Sequence, residues 1–421
     1  MENGQTGDYA LLRSYLVYTT GNNEQEGCMG FHVFGDWLGH GFGRVFGSVP
    51  AISAVLIVND EFLNQAAAPL ASPRNGEPGP GQLVMSDTSN RWSIPAPGGE
   101  LVPGGMSVGN NNPGAWLATA QARVGGRALK CRIKNISAFG SDANKTQSPM
   151  VIWSDSVGST TTTDYEGVVY WVANTKFQLL DSISATFWVT LKACLADTYN
   201  VIVTILRSGG GMFHVVDGEL IGITRQNTDG SVFPDVGAFG ANRNPPQVDY
   251  IKVGDLGTPW DTDFGICTNQ LPGARAVNDA FTHEADAHLE FTITALPSAG
   301  NVFIQFRKQD ANNHWRVNIN STGTVTLQEV VAGTPSTRAT LSGCLVNDRI
   351  VVSFKGASIS AFQDRPATGV ANATAYNSAL FPSFTTGLVS SLGTGGGIKD
   401  LYTYPYTLSG AALAAINNMV G

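Results

Sequence analysis

The chain repeats itself. LKACLADTYNVIVTI (Leu191 to Ile205) and LSGCLVNDRIVVSF (Leu341 to Phe354) each run from a Leu over two residues to a Cys-Leu pair, then through a polar turn into a strand of β-branched residues. The flanks agree as well. Upstream, ALKCRIKNI (Ala128 to Ile136) matches HLEFTITAL (His288 to Leu296), and YEGVVYWVANTKFQLL matches NHWRVNINSTGTVTLQE as strand, polar turn and strand. Downstream, VDYIKVGDL (Val248 to Leu256) corresponds to IKDLYTYPY (Ile398 to Tyr406). Four blocks in one order mean two copies of one unit of about 150 residues. The offset falls from 160 residues at the first block to 150 at the Cys-Leu block, so the first copy is longer between them. GSTTTTDYEG is the expected site of that extra loop.

Inside each block the apolar residues alternate. Leu129, Cys131 and Ile133 share one strand face, and Lys130, Arg132 and Lys134 share the other, as Leu289, Phe291 and Ile293 do in the second copy. Short alternating runs separated by Gly, Asn, Asp and Pro, with 49 glycines in 421 residues, predict an all-β class. Helical spacing enters only at the end, in LSGAALAAINNM. There Ser409 is the expected N-cap, Leu408 and Leu413 stand at staple spacing, and Leu413 with Ile416 gives an apolar side. The expected architecture is two tandem antiparallel β-sandwiches with a short C-terminal helix.

Composition narrows the partners. Charged residues are 14% and the net charge is −8, so nothing attracts nucleic acid or anionic lipid. The longest clean apolar run, 51–58 broken by Ser53, is far short of the ~20 residues of a membrane span. MENGQTGDYALLRSYL lacks the basic start and apolar stretch of a secretory signal, so neither export nor membrane insertion is expected. The five cysteines, Cys28, Cys131, Cys194, Cys267 and Cys344, form no CxxC and lie far apart, which leaves neither a zinc knuckle nor a disulfide framework. Cys131, Cys194 and Cys344 are expected as small buried residues.

These residues also carry a family resemblance. VNDEFLNQ (Val58 to Gln65), RWSIPAPGGELVP, the strand ALKCRIK and the closing QVDYIKVGDLG follow one another in the first copy. This order resembles the concanavalin A-like, laminin G-like jelly-roll modules of bacteriophage tail and other virion proteins. The second copy keeps the meander and a closing segment, GGIKDLYTYPYTLSGAALAAI, but departs at its start, DTDFGICTNQLPG. The resemblance implies a first sandwich over 57–256 and a second over 257–421. Residues 1–56 have no counterpart. Their glycine-aromatic run, GCMGFHVFGDWLGHGFGRVFGSVP, suits close packing against another subunit and is read as an anchoring or assembly segment.

HEADAHLE (His283 to Glu290) is the sharpest catalytic candidate. As a strand it would put Glu284, Asp286, His288 and Glu290 on one face, close to the E-x-D-x-E pattern of glycoside hydrolases of this fold. A retaining pair needs carboxyl groups ~5 to 5.5 Å apart. Glu284 and Glu290 would stand ~20 Å apart at ~3.3 Å per residue, so they are not that pair. The leading reading is a solvated strand face, with Asp286 and His288 as a weak metal pair. His40 lies in a glycine run without the G-x-G-x-x-G spacing. His314-Trp315 reads as core, and no G-x-S-x-G elbow is present.

Binding surfaces follow from aromatics in turn-rich contexts. Trp116 after GNNNPG, Trp260 in GTPWDTD, and Tyr402, Tyr404 and Tyr406 alternating around Pro405 are the glycan or partner candidates. Pro405 also points to an edge strand there. Packing between sandwiches or subunits is the competing reading of the same rings. The functional expectation is a non-enzymatic virion structural protein without a cofactor. It would be made in the host cytoplasm and contact other virion proteins and a host-surface glycan, as a homo-oligomer. A carbohydrate-active enzyme or a stand-alone glycan-binding module of the same fold is the alternative.

Overall fold

The alternation along LKCRIK and HLEFTI does form strands with one face inward, in both copies. The computed structural model describes residues 55–61, 68–69, 74–75, 84–87, 92–94, 102–103, 115–119, 124–134, 147–154, 165–171, 176–181, 186–195, 197–208, 210–224, 233–238, 247–257, 260, 265–365, 369–377 and 381–419. Residues 1–54 of the proposed anchor, with His40, lie outside the described residues, and its last two, Val55 and Leu56, belong to the first strand. All described strands belong to one compact unit, 52–421.

The first copy supplies β1 (Val55–Asp60), β2 (Ala68–Pro69), β3 (Arg74–Asn75), β4 (Val84–Asp87), β5 (Trp92–Ile94), β6 (Val102–Pro103), β7 (Ala115–Thr119), β8 (Arg127–Lys134), β9 (Gln147–Ser154), β10 (Tyr165–Trp171), β11 (Lys176–Asp181), β12 (Thr186–Ala193), β13 (Tyr199–Leu206), β14 (Met212–Val216), β15 (Glu219–Ile223), β16 (Phe233–Ala238) and β17 (Gln247–Asp255). The second supplies β18 (Asn269–Ala274), β19 (Ala280–Thr282), β20 (Ala287–Ala295), β21 (Ala299–Phe306), β22 (His314–Ile319), β23 (Val325–Val331), β24 (Thr334–Leu341), β25 (Arg349–Lys355), β26 (Ser358–Arg365), β27 (Gly369–Asn377), β28 (Thr386–Thr394) and β29 (Gly397–Pro405), followed by the helix α1 (Gly410–Asn417).

Strand order shows the duplication. One sheet of the first sandwich runs β1-β17-β8-β13-β14-β15, and its counterpart in the second runs β18-β29-β20-β25-β26-β27. The opposing sheets run β12-β11-β10-β9-β16-β7 and β24-β23-β22-β21-β28-β19, the first copy adding β4 and β3 at its edge. Every pairing is antiparallel, and β2, β5 and β6 make a small separate sheet. The copies differ in register. Cys131 pairs with Ile202, whereas Phe291 pairs with Ile350 and not with Val352, the residue that the repeat equates with Ile202. A slide of two residues keeps every side chain on its own face, which is why the core tolerates it.

The extra length of the first copy is mostly not at GSTTTTDYEG. Twelve residues (135–146) separate β8 from β9 against three (296–298) between β20 and β21, while the next connections differ only as ten against seven. The repeat locates the insertion between two blocks but cannot choose among the loops within that span.

Each sandwich has a core, and Val351 and Phe362 of the second copy join that of the first. Leu129, Cys131, Ile133, Trp153, Val168, Phe177 and Ile202 fill the first; Leu289, Phe291, Ile293, Phe306, Trp315, Val317 and Ile350 fill the second. Cys194 and Cys344 are buried at equivalent places, as expected, while Leu195 and Leu345 beside them are exposed. Cys344 rests on Gly323, whose φ of +74° and whose distance of 2.1 Å from an added Cβ to the Cys344 carbonyl oxygen admit only glycine.

A third apolar cluster joins the copies. Val203, Ile205, Phe213, Val215 and Ile223, on the outer face of the sheet of β13 to β15, pack with Tyr402, Tyr404, Leu408, Ala415 and Ile416. The two equivalent sheets therefore lie face to face, and the chain end crosses over. The Leu220 amide donates to the Tyr406 carbonyl (2.7 Å) and the Leu408 amide to the Gly218 carbonyl (2.8 Å). Ser409 is the N-cap as expected, but its hydroxyl makes no capping bond. Instead the Lys130 ammonium donates to the Ile416 and Met419 carbonyls at the helix end (2.8 and 3.4 Å). Cations are favoured at that pole.

Candidate functional site

HEADAHLE meets the first sandwich here. Strand β20 begins at Ala287, so Glu284 and Asp286 precede it, and the continuous acidic strand face does not form. Within β20, Leu289 and Phe291 point into the core, which sends His288 and Glu290 to the face covered by the first sandwich. The expected solvated face is thus buried: His288 and Glu290 are 0% and 1% exposed.

Glu290 is held by cations from both copies. Its Oε2 lies 3.3 Å from Arg207 Nη1 and 2.9 Å from Arg349 Nη1. Arg349 also pairs with Asp364, and Arg207 donates to the Thr224 carbonyl (3.1 Å) and to the Tyr404 hydroxyl (3.1 Å). Two guanidiniums and two carboxylates make a buried group with no net charge, which is how a dry interface accommodates ions. The Arg207 guanidinium also lies over the Phe213 ring, 4.7 Å from its centre.

His288 links the copies in another way. Its Nε2 is 2.5 Å from the Leu220 carbonyl of the first sandwich, and its Nδ1 is 2.7 Å from Ser353 Oγ. A carbonyl only accepts, so Nε2 carries the proton and Nδ1 accepts from Ser353. Burial lowers the imidazole pKa to about 4, against the opposing pull of the Leu220 carbonyl and Glu290, so the ring is neutral. Asp286 points elsewhere: its Oδ1 accepts from the Gly356 amide (2.7 Å) and lies 3.4 Å from Arg307 Nη2. Asp286 and His288 do not converge as a ligand pair. Among the described residues no group of three or more His, Cys, Asp or Glu is placed to hold a metal ion.

Four of the five aromatic candidates are corrected by the same contact. Trp260 is fully buried, donating from Nε1 to the Ala412 carbonyl (3.2 Å) and meeting the Phe213 ring edge-on. Tyr402, Tyr404 and Tyr406 are buried too, Tyr406 stacked on His288. Strand β29 is not an edge, since β18 and β20 flank it, and Pro405 sits opposite Ala287. These rings are covered because the opposite sandwich supplies the second apolar face. Trp116 stands on β7, and its side chain lies outside the described residues.

Sequence reasoning passed over Arg207, Arg349 and Asp364. Arg207 directly follows the apolar strand VIVTIL, and a cation there is the one available signal. Near the contact an open cleft of about 480 Å³ is lined by Ile266, Cys267, Glu284, Asp286, Pro405 and Ser409. It is where the two carboxylates left out of β20 reach solvent. A further buried polar group lies inside the first sandwich, where Glu166 accepts from Thr224 and lies 3.3 Å from His214 Nε2.

Strand order, antiparallel pairing and face-to-face sheets settle the architecture. The fold is a tandem pair of antiparallel β-sandwiches. No family model matches the chain, and no curated protein matches it. Among solved structures it is similar to domains LG4-5 of the mouse laminin alpha1 chain, at 12% identity over 82% of this chain and 100% of that one, with a TM-score of 0.24. An endo-1,3-beta-glucanase from Streptomyces sioyaensis matches at 12% identity over 49% of this chain and 98% of its own, TM-score 0.34. The carbohydrate-binding module CBM66 from Bacillus subtilis matches at 13% identity over 31% of this chain and 84% of its own, TM-score 0.23. These are likenesses of fold, too distant to carry residue roles.

Proposed function

We propose that this chain is a non-enzymatic structural protein of a bacteriophage particle, a surface-exposed tail, fibre or decoration component that works by contact with other virion proteins and host-surface glycans. The observation that carries the non-enzymatic part is the placement of the acidic strand. Glu290 and His288 are taken up by the contact between sandwiches, and Asp286 is fixed by Gly356 and Arg307. The resulting block, with two cores joined by a third, suits a spacer that holds its loops in fixed relation. The particle assignment rests on the sequence resemblance, and on it rest assembly in the host cytoplasm and a symmetric oligomer. Mass spectrometry of purified particles from the source of this gene should find the chain as a stoichiometric component; its absence overturns the particle assignment.

One observation favours an enzyme instead, namely the open cleft with Glu284 and Asp286 in its wall. Incubation with a panel of bacterial polysaccharides should release no reducing ends. Release that disappears in the Glu284→Gln/Asp286→Asn variant would replace the non-enzymatic reading.

A further inference from the structure

The crossing chain end leaves an open pocket beside α1, of about 320 Å³ and walled by both copies. Its apolar lining is Val201 and Val203 from the first copy and Leu408, Leu413 and Ile416 from the second. Sites for small molecules run from roughly 300 Å³ upwards. Lys130 and Asp217 line the same pocket. Lys130 stands opposite Val203 on β13, and the Asp217 amide donates to the Val201 carbonyl from the other side of that strand. The two residues are thus two strands apart and two residues out of line, ~12 Å between Cα atoms at ~4.8 Å per strand and ~3.3 Å per residue.

The cationic end is short of an anion. Lys130 is buried, and two of its three N–H groups are taken by the Ile416 and Met419 carbonyls (2.8 and 3.4 Å). Among the described residues no carboxylate pairs with it. Its charged neighbour is another cation, Lys252, which is held by Glu61 (2.5 Å); the two ammonium groups lie 6.0 and 5.0 Å from the centre of the Tyr250 ring. Burial first, then the Lys252 charge, lowers the Lys130 pKa to about 8, as expected of a cation kept without a counterion. The anionic end is ordered but not closed. Asp217 Oδ1 accepts from the Val201 amide (2.8 Å), Oδ2 accepts from Asn200 Nδ2 (2.5 Å), and Lys192 stands 3.8 Å away. The Asp217 side chain is still 33% exposed, and each carboxylate oxygen has a second lone pair to offer.

A cation at one end, a carboxylate at the other and aliphatic side chains between them fit a ligand with the opposite charges at its own two ends. We propose that this pocket binds a short aliphatic ω-amino acid, its carboxylate on the remaining N–H of Lys130, its methylenes along Val201, Val203 and Leu413, and its ammonium at Asp217. Such a ligand carries no net charge, so the −8 of the whole chain does not oppose it. Desolvated charge pairs fix its direction, and the aliphatic walls select a chain of methylenes over a compact zwitterion. The bound molecule would touch both copies and tie the chain end to the first sandwich. This goes beyond the reading of the chain as a particle component and does not depend on it.

Ligand-observed NMR titration of the full chain with 6-aminohexanoate, hexanoate, hexylamine and glycine tests it. Saturable binding of 6-aminohexanoate is expected, with a dissociation constant of about a millimolar for so small a molecule. Hexanoate and hexylamine, each lacking one charge, should bind about fivefold more weakly, and glycine not at all. The melting temperature should rise with 6-aminohexanoate, since it binds only where both copies meet. Asp217 has a φ of +51°, which Asn tolerates, so Asp217→Asn keeps the turn and should bring 6-aminohexanoate down to the affinity of hexanoate. Lys130→Met should abolish binding but also loosens the end of α1. Val201→Phe fills the apolar middle with Lys130 and α1 in place, and should abolish binding without lowering the melting temperature. No saturable binding of 6-aminohexanoate, equal affinity for hexanoate, or a Val201→Phe variant that melts normally and binds as tightly as the parent would overturn the inference.

Discussion

Glu290 divides one oxygen between Arg207 and Arg349, so cations from two sandwiches depend on a single anion. Removing that anion leaves two buried guanidiniums with Asp364 as their remaining carboxylate. Glu290→Gln is expected to cost about 3–5 kcal/mol in urea denaturation. Arg207→Met combined with Glu290→Leu should cost less than the sum of the two single changes, because the pair leaves together and Arg349 keeps Asp364. The buried histidines set the acid limit. Burial lowers His214 to about 3 and His288 to about 4, both below the ordinary 6.5. Between those values the unfolded chain binds protons that the folded chain does not, so stability held at neutral pH is lost as pH falls from about 6.5 towards 4. Urea midpoints at pH 7.0, 5.5 and 4.5 should fall in that order, and His288→Gln should flatten the slope. Lys130 acts in the same direction at higher pH. Its pKa, lowered to about 8 by burial and the Lys252 charge, makes stability rise from about pH 8 until Tyr250, which folding pushes up to about 12, reverses the trend above pH 10.

At the scale of elements, the hairpin of β22 and β23 turns over a glycine that the Cys-Leu block sits on. Gly323→Ala would drive its methyl into the Cys344 carbonyl from a left-handed backbone, and a loss of about 2–4 kcal/mol is expected by thermal melting. Gly343, also left-handed but with open space around it, should lose less on the same change. Much at this scale was legible in the sequence. The inward faces of β8 and β20 follow from period-two alternation, and α1 follows from Ser409 and the spacing of its leucines. What a strand's other face meets was not. Tyr402, Tyr404 and Tyr406 look like an exposed aromatic row because nothing within β29 records that Phe213 and Val215, nearly two hundred residues earlier, cover it. HEADAHLE misled for the same reason. Its charges resemble one wet face, yet Glu290 is dry because its counterions, Arg207 and Arg349, lie just beyond β13 and at the start of β25.

At the scale of the whole molecule, two sandwiches do not amount to two independent units. Each has a core, but the third cluster, the ionic group and the crossing chain end tie them together. Calorimetry should show one unfolding transition rather than two, and Glu290→Gln should split it or broaden it. The repeat made the duplication legible, down to equivalent strands, yet it could not say how the copies meet, since contacts between copies leave no periodic trace. They meet through the same sheet. In a two-fold dimer of identical single sandwiches, such a contact would show every residue twice, and a charge suited to one side would be imposed on the other. Joining both halves in one chain removes that obligation. Lys130 and Glu290 occupy the same place in the repeat, yet one grips a helix end and the other two arginines. The covalent link thus lets one interface carry opposite charges at matched positions, a broken symmetry that a homodimer cannot reach.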